Sequence, residues 1–386
     1  MASGIKNDGK RDLCVIYSKD KACATAVFTA NKVKGAPILI NMDNIRNKNT
    51  QAIVVNSGNA NSCTGEEGIK NSRKMLETAA QCLNLAPEEV LIQSTGALAV
   101  QLPMNKLIPG IEKACFNLSE YGGFDAAEAI LTTDTRIKTL AIEFEIQGGK
   151  VVMAGIAKGS TMIHPNMATM FSAVATNANI SKAMLEKTFR DSVAKSYNMI
   201  SVDGDTSTND MAVVLANGAS GHKLIECENQ HYKVFQDALD FVNIELAKKI
   251  AGDGEGATKL LEIQVNHAGS VEDAKKCAKS IASSTLVKCA MFGSYPAYPD
   301  IACAIGYSGV DFNPRDFDIS IQGGDAGLRI VRNAVKEEFD EALAKEILSG
   351  DLVVLIIDLK SGKATSTAWG CDMGFDYVKA NAYLSN

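Results

Sequence analysis

No run of apolar residues in this chain approaches the roughly 20 that a membrane span needs. The longest strongly apolar stretch, Leu352 to Ile357, suits a buried strand. No basic run stands out, and a net charge of −6 argues against a nucleic-acid surface. The polar, mixed-charge start, Met1 to Asp12, has no signal-peptide core. Ten cysteines, among them Cys14, Cys23, Cys63, Cys82 and Cys115, are scattered without CxxC pairs. They read as reduced, partly buried thiols in a reducing cytoplasm. His164, His222, His231 and His267 are far apart, with no HExxH pairing, so no zinc site is expected. Asp203 to Asp210 has the look of a cation loop but lacks the closing bidentate Glu of an EF-hand. Low-complexity tracts and an obvious linker are also missing.

What is present is ordinary globular material: 386 residues, 46% apolar and 22% charged. That length suggests two or three domains, or one large domain with an appendage. Ala52 to Val55 reads as a strand running into a loop of small and amide residues, Asn56 to Ser62. A helix is expected from about Glu66 to Leu83, with Thr64 near its N-cap. Val90 to Ile92 is a short apolar run that stops at Ser94-Thr95-Gly96, and Val151 to Ile156 is a further strand. Leu185, Phe189, Val193 and Tyr197 recur every four residues behind Ser181, the pattern of a capped amphipathic helix. Phe235, Leu239, Val242, Leu246 and Ile250 mark another, ending near Gly252. Ser270 and Asp273 resemble a capping box for a third. Strands are expected at Phe317 to Ile321, Val353 to Asp358 and Ala364 to Trp369, with a helix over Ala334 to Leu348. Strands and helices interleave throughout, so the class is α/β or α+β.

The stretch from Lys158 to Met170 carries the most chemistry. It is polar, bears Gly and Pro, and reads as an exposed loop that ends on Ala168-Thr169 before an apolar segment. If the chain breaks between Ala168 and Thr169, Thr169 gains a free α-amine beside its own hydroxyl. Nucleophile and general base then share one residue. An α-amine titrates near ~7.7–8.0 and a lysine amine near ~10.4, so the new terminus is the better base by roughly two orders of magnitude. Uncut, Thr169 is one inert threonine among many. Lys158 could bind a substrate carboxylate or shift the electrostatics near that amine; the plainer reading is a solvated lysine. Thr95 and Gly96 could supply adjacent N–H and hydroxyl donors to an oxyanion, or form a plain strand-to-loop turn. Glu255, in a glycine-dense segment after a helix, could hold an ammonium group, or be a solvated acid in a C-cap turn. That segment lacks the spacing of both GxGxxG and the P-loop.

Taken together, these segments resemble the ornithine acetyltransferase family (ArgJ; glutamate N-acetyltransferase). The blocks that carry the resemblance are Asp12-Leu13, Val27-Phe28-Thr29, Val55 to Asn61, Ser94-Thr95-Gly96, Leu131 to Thr135, Lys158 to Met170, Asp203 to Asp210 and Gly254-Glu255-Gly256. Several such blocks in one order are a specific signal where each alone is weak. The resemblance implies an αββα-like layered sandwich similar to N-terminal-nucleophile hydrolases. It implies self-cleavage at Ala168–Thr169 into an α chain (1–168) and a β chain (169–386) that stay associated, with a dimer of αβ units. The expected division is a catalytic core over 1–280 and a smaller α/β domain over 285–386. By matching position, Thr169 is the nucleophile and Thr95 and Gly96 the oxyanion hole. Thr132, Lys158, Thr169, Glu255 and Asn381 are substrate contacts, with Asn386 at the end of the chain. The implied reaction moves an acetyl group from N-acetylornithine to glutamate through an acetyl-threonine. It needs no metal or tightly held cofactor, and acetyl-CoA is a donor in some members.

Three departures from the family pattern stand out. Tyr295-Pro296-Ala297-Tyr298-Pro299-Asp300 stands where the family commonly reads Asp-Pro-Asn-Trp-Gly-Arg. Asn386 stands at a usual terminal Thr, and Thr161 at a usual Gly. The first departure motivates a second reading, a threonine-nucleophile amidase or acyltransferase acting on another acyl-amino acid. A third reading is an uncleaved, non-catalytic relative that binds amino acids or partners.

Overall fold

The computed structural model describes residues 1–6, 8–164 and 170–382. Ala168, Thr169 and Asn386, three of the sequence-predicted site residues, lie outside them. Among the described residues the strands are β1 (Leu13–Tyr17), β2 (Cys23–Phe28), β3 (Ala52–Asn59), β4 (Val90–Ala97), β5 (Lys138–Ile146), β6 (Gly149–Lys158), β7 (Phe171–Thr176), β8 (Ile200–Ser201), β9 (Met211–Ala216), β10 (Leu260–Ala268), β11 (Asp318–Gly323), β12 (Ala326–Arg332), β13 (Val335–Lys336), β14 (Leu352–Asp358) and β15 (Ala364–Cys371). The helices are α1 (Ala36–Asn44), α2 (Gly65–Leu83), α3 (Met104–Phe116), α4 (Gly123–Ala129), α5 (Lys182–Val193), α6 (Gln230–Ala251), α7 (Val271–Ser283), α8 (Thr285–Phe292), α9 (Tyr298–Gly306), α10 (Glu341–Leu348) and α11 (Phe375–Ala382).

The chain folds as two compact units. The first holds 1–159, 165–198 and 206–246; the second holds 160–164, 199–205 and 247–386. The main division therefore falls inside α6, whereas the sequence expectation put it between 280 and 285. The reason is strand pairing. β10 runs parallel to β14 and antiparallel to β15, so residues 260–268 belong with the C-terminal strands.

The first unit is built in four layers. A three-stranded sheet, β1-β3-β4, and a five-stranded sheet, β2-β9-β7-β6-β5, are stacked face to face. Alternation in each strand sends one set of side chains to each face. Cys14, Ile53, Val55 and Leu91 of the smaller sheet meet Ala24, Phe171, Ala173, Val213 and Leu215 of the larger. On its other face Leu13, Val54 and Ile92 pack against Met75, Leu76 and Ala79 of α2 and Leu107 and Ile111 of α3. α5 packs on β2, and α6 lies close over β6, where a Cβ on Gly155 would come within 2.7 Å of Leu246 Cδ1. The result is the αββα layering.

In the second unit a seven-stranded sheet runs β13-β12-β11-β14-β10-β15-β8. α7 packs on β10 and β15, and α10 on β11.

Several sequence boundaries move, each for a physical reason. β3 extends through Asn59 and β4 through Ala97, past the expected loops, because the buried amides there satisfy one another. Ser94 Oγ donates to Asn56 Oδ1 at 2.7 Å, and Asn56 Nδ2 donates to the Asn59 carbonyl at 2.9 Å. The helix expected over 334–348 begins only at Glu341. Val335–Lys336 instead pairs with β12, and Asp340 caps α10 by accepting from Ala342 and Leu343 N–H. Tyr197 lies beyond the end of α5, in a 3-10 turn, with its hydroxyl 2.8 Å from Ser172 Oγ. The unusual Tyr295–Asp300 segment is a helix start. Pro299 occupies the first turn of α9 and Asp300 lies in that turn, where a missing N–H costs little and a negative charge is favoured.

Candidate active site

In the first unit the sequence brings three of the predicted residues to one point. Lys158 ends β6 and is buried. Its ammonium donates to Thr132 Oγ1 at 2.7 Å and to Thr95 Oγ1 at 3.3 Å. The solvated-lysine reading is thereby corrected: this amine is enclosed and points at two hydroxyls from two other segments. Thr95 sits at the end of β4, and Thr132 follows α4.

Gly96 explains how β4 reaches this point. It pairs with Gly58 across the parallel β3–β4 ladder, and its φ of +130° lies in the region that favours glycine. A Cβ at Gly96 would sit 2.3 Å from the Gly58 carbonyl carbon, which no side chain can do. Asn209 Nδ2 donates to the Ser94 carbonyl at 3.0 Å, so the buried amides around Ser94 hold the strand end while Thr95 turns its hydroxyl to Lys158. The Asn56 to Ser62 block thus has a structural duty under the site.

Asp134, named in the sequence only as part of a block, holds the cluster's charge balance. Its carboxylate is fully buried and lies 3.9 Å from Lys158 Nζ. Oδ1 accepts from Lys138 Nζ at 2.7 Å and from the Gly159 N–H at 2.7 Å; Oδ2 accepts from the Thr132 N–H at 3.0 Å. Burial works against its ionisation, but Lys158, Lys138 and these N–H donors overcome that and hold the carboxyl well below the ordinary range. Burial lowers the Lys158 pKa, opposed by Asp134 and Asp210 and reinforced by Lys138. Asp210 is pushed well above the ordinary carboxyl value by burial, against the Ser207 and Thr29 hydrogen bonds. Its Oδ2 has no hydrogen-bond partner.

In the second unit Glu255 and Asn381 come together. Asn381 Nδ2 donates to Glu255 Oε2 at 2.7 Å, and the Glu255 N–H donates to the Ser160 carbonyl at 2.9 Å. Gly256, at φ +69°, lets the loop lie against α11; a Cβ there would meet Tyr377 N at 2.5 Å. Glu255 therefore has a fixed side-chain partner and is not a freely solvated acid. Among the described residues no group of three or more His, Cys, Asp or Glu could hold a metal ion. Among them, too, no helix is long and apolar enough to cross a membrane.

The ArgJ family model matches residues 1–385. The chain belongs to the ArgJ family. It is similar to the arginine biosynthesis bifunctional protein ArgJ 1 of Clostridium acetobutylicum, with 51% identity over 381 residues, 99% of this chain and 93% of that protein. The arginine biosynthesis bifunctional protein ArgJ of Caldanaerobacter subterraneus is 48% identical over 379 residues, 98% of this chain and 94% of that one. A crystal structure of the arginine biosynthesis bifunctional protein ArgJ from Bacillus halodurans is 39% identical with a TM-score of 0.52, covering 55% of this chain and 97% of that chain. The ornithine acetyltransferase resemblance is therefore correct, and this ArgJ-family chain is an acyltransferase of arginine biosynthesis. Sequence reasoning gave no role to Asp134, Lys138, Asp203 or Asp210. Asp134, Asp203 and Asp210 had a signal in lying within blocks that carry the family resemblance; Lys138 had none.

Proposed function

We propose that the chain cuts itself at Ala168–Thr169 and then moves an acetyl group from N-acetylornithine to glutamate through an acetyl ester on Thr169. The observation that carries this reading is the enclosed Lys158 ammonium between Thr95 and Thr132, inside a chain that matches the family from end to end. Phe171, two residues after Thr169, pairs with Lys158 across the β6–β7 ladder. That pairing supports the reading in which Thr169 acts beside the cluster. The Bacillus halodurans chain, 97% covered yet matching 55% of this chain, is about the size a separated 169–386 fragment would have.

The chemistry follows from these groups. The neutral Thr169 amine accepts the Oγ proton as Oγ attacks the acetyl carbonyl. The oxyanion forms against Thr95 Oγ1 and the Gly96 N–H. The leaving ornithine amine takes a proton back as the C–N bond breaks. Glutamate's amine then attacks the acetyl ester in the same sense. Lys158 adds fixed positive charge, which favours the oxyanion without reorganisation. Glu255, oriented by Asn381, takes the substrate's ammonium, and Asn386 supplies an amide at the chain end. No metal or tightly held cofactor is needed. The word bifunctional in the relatives' names fits acetyl-CoA as a second donor to glutamate. The working form is a dimer of αβ units in the cytoplasm.

Intact-mass analysis with and without N-acetylornithine tests the reading. Two fragments, 1–168 and 169–386, with an acetyl group on the second after mixing, are expected. A whole polypeptide in catalytically competent protein would refute it. A panel of acyl-amino acids separates this donor from the broader amidase reading.

A further inference from the structure

The connection from β6 to β7 is held near its start by a carboxylate that acetyl transfer does not use. Asp203 Oδ2 accepts from the Met162 N–H at 2.6 Å, and Oδ1 accepts from Ile163 N–H at 2.9 Å. The Asp205 N–H also donates to Oδ1, at 3.2 Å. Around this clamp the Ile163 carbonyl accepts from the Val202 N–H at 2.6 Å, and His164 Nδ1 lies 3.0 Å from Ser201 Oγ. The Ser160 carbonyl is held by the Glu255 N–H. Met162 itself is left-handed, with φ +53°, a conformation that costs a non-glycine residue energy. That conformation also turns successive N–H groups toward one anion. The strain persists because the carboxylate rewards it.

The sequence order of the partners matters. Ser160 to His164 precede Thr169, and every anchor named (Ser201, Val202, Asp203 and Glu255) follows it. We propose that Asp203 is a positioning residue for self-cleavage: it pins Met162 and Ile163 so that the chain enters the Ala168–Thr169 bond from a fixed origin. This rests on the self-cleavage reading above. The step itself consumes one water, breaks the Ala168–Thr169 C–N bond, and leaves a carboxylate at 168 and an ammonium at 169. Asp203 takes no proton and forms no covalent bond. An intramolecular attack depends steeply on geometry, and a displacement of about 1 Å can cost about 10²-fold in rate. Apolar replacements of Asp203 would disturb packing as well, so the isosteric Asp203→Asn is the informative change. Its amide nitrogen cannot accept, so at least one of the three N–H groups loses its partner. After the break the same bonds tie residues 160–164 of the first fragment to the second.

The test is a time course of cleavage in the full chain, followed by denaturing electrophoresis, for wild type, Asp203→Asn and Asp203→Glu. Near-ultraviolet circular dichroism checks that each is folded. Asp203→Glu keeps the charge but displaces both oxygens, and it serves if the Asn variant fails to fold. The expected result is whole chain accumulating, with cleavage slowed about 10²-fold, while the cut fraction keeps wild-type kcat and KM per cut chain. A merely structural role would lower both cleavage and transfer, and that outcome overturns the proposal. If wild type is cut and the folded variants are cut as fast, this inference falls alone. If the wild-type chain stays whole while active, the self-cleavage reading falls and takes this one with it.

Discussion

Lys158 and Asp134 show how single side chains set the chemistry here. Both are buried charges that persist because each is answered: Asp134 by Lys138, Lys158 and two N–H groups, Lys158 by Asp134 and two hydroxyls. Removing one charge strands the others, and breaking such a buried pair costs about 3–5 kcal/mol. Asp134→Asn should therefore lower the unfolding free energy from a urea titration by that much, with turnover lost as Lys158 reorients. Because the Asp134 pKa is depressed in the fold, its stabilisation is complete above the ordinary value of 3.8 and is lost as pH falls toward the folded value. The wild-type and Asp134→Asn midpoints should converge below that pH. Thr95→Ala should lower kcat about 10²–10³-fold with the melting curve unchanged, as for loss of one oxyanion donor. His164 behaves in the opposite charge sense to Asp134. Burial, with Lys279 and Lys288 adding to it, lowers its pKa from 6.5 to about 4. The unfolded chain binds that proton first, so wild type should lose stability as pH falls from 6.5 to 4. His164→Gln should flatten that part of the pH–stability curve.

At the scale of elements, the helix starts read well from the sequence because capping is local chemistry. Ser181 and Ser270 each accept the N–H expected of them, from Met184 and Asp273. Ser181→Ala should cost about 1 kcal/mol in denaturant unfolding. The strand ends did not read well. Nothing within β4 says that it continues to Ala97; that depends on Gly58 and Asn56 of β3, nearly 40 residues earlier. Gly96→Ala tests the dependence. Its Cβ would overlap the Gly58 backbone, so the β3–β4 crossing must open, and folded yield and turnover should both collapse. The 334–348 region failed for the converse reason: its helical residues are real from Glu341, but a hairpin partner claimed Val335 and Lys336.

For the whole molecule, the order of the five-stranded sheet decides what a chain break would do. β2, β5 and β6 precede Thr169 and β7 and β9 follow it, and the sheet runs β2-β9-β7-β6-β5. The β2–β9 and β6–β7 ladders would thus join the two fragments by main-chain hydrogen bonds. The 1–168 and 169–386 fragments should co-elute in gel filtration and separate only in denaturant. Elution of either one alone from native protein would contradict this layering.

Residue order was enough to establish the family and the αββα expectation, and it nominated Thr95, Gly96, Lys158 and Glu255, which stand in short blocks whose chemistry is local. Packing alone revealed that Lys158 is enclosed, that Asp134 balances it, and that Glu255 is held by Asn381 126 residues away. Burial and long-range pairing have no signature in neighbouring residues, since a buried charge is written with the same letter as an exposed one. They exist only once distant strands have been brought side by side.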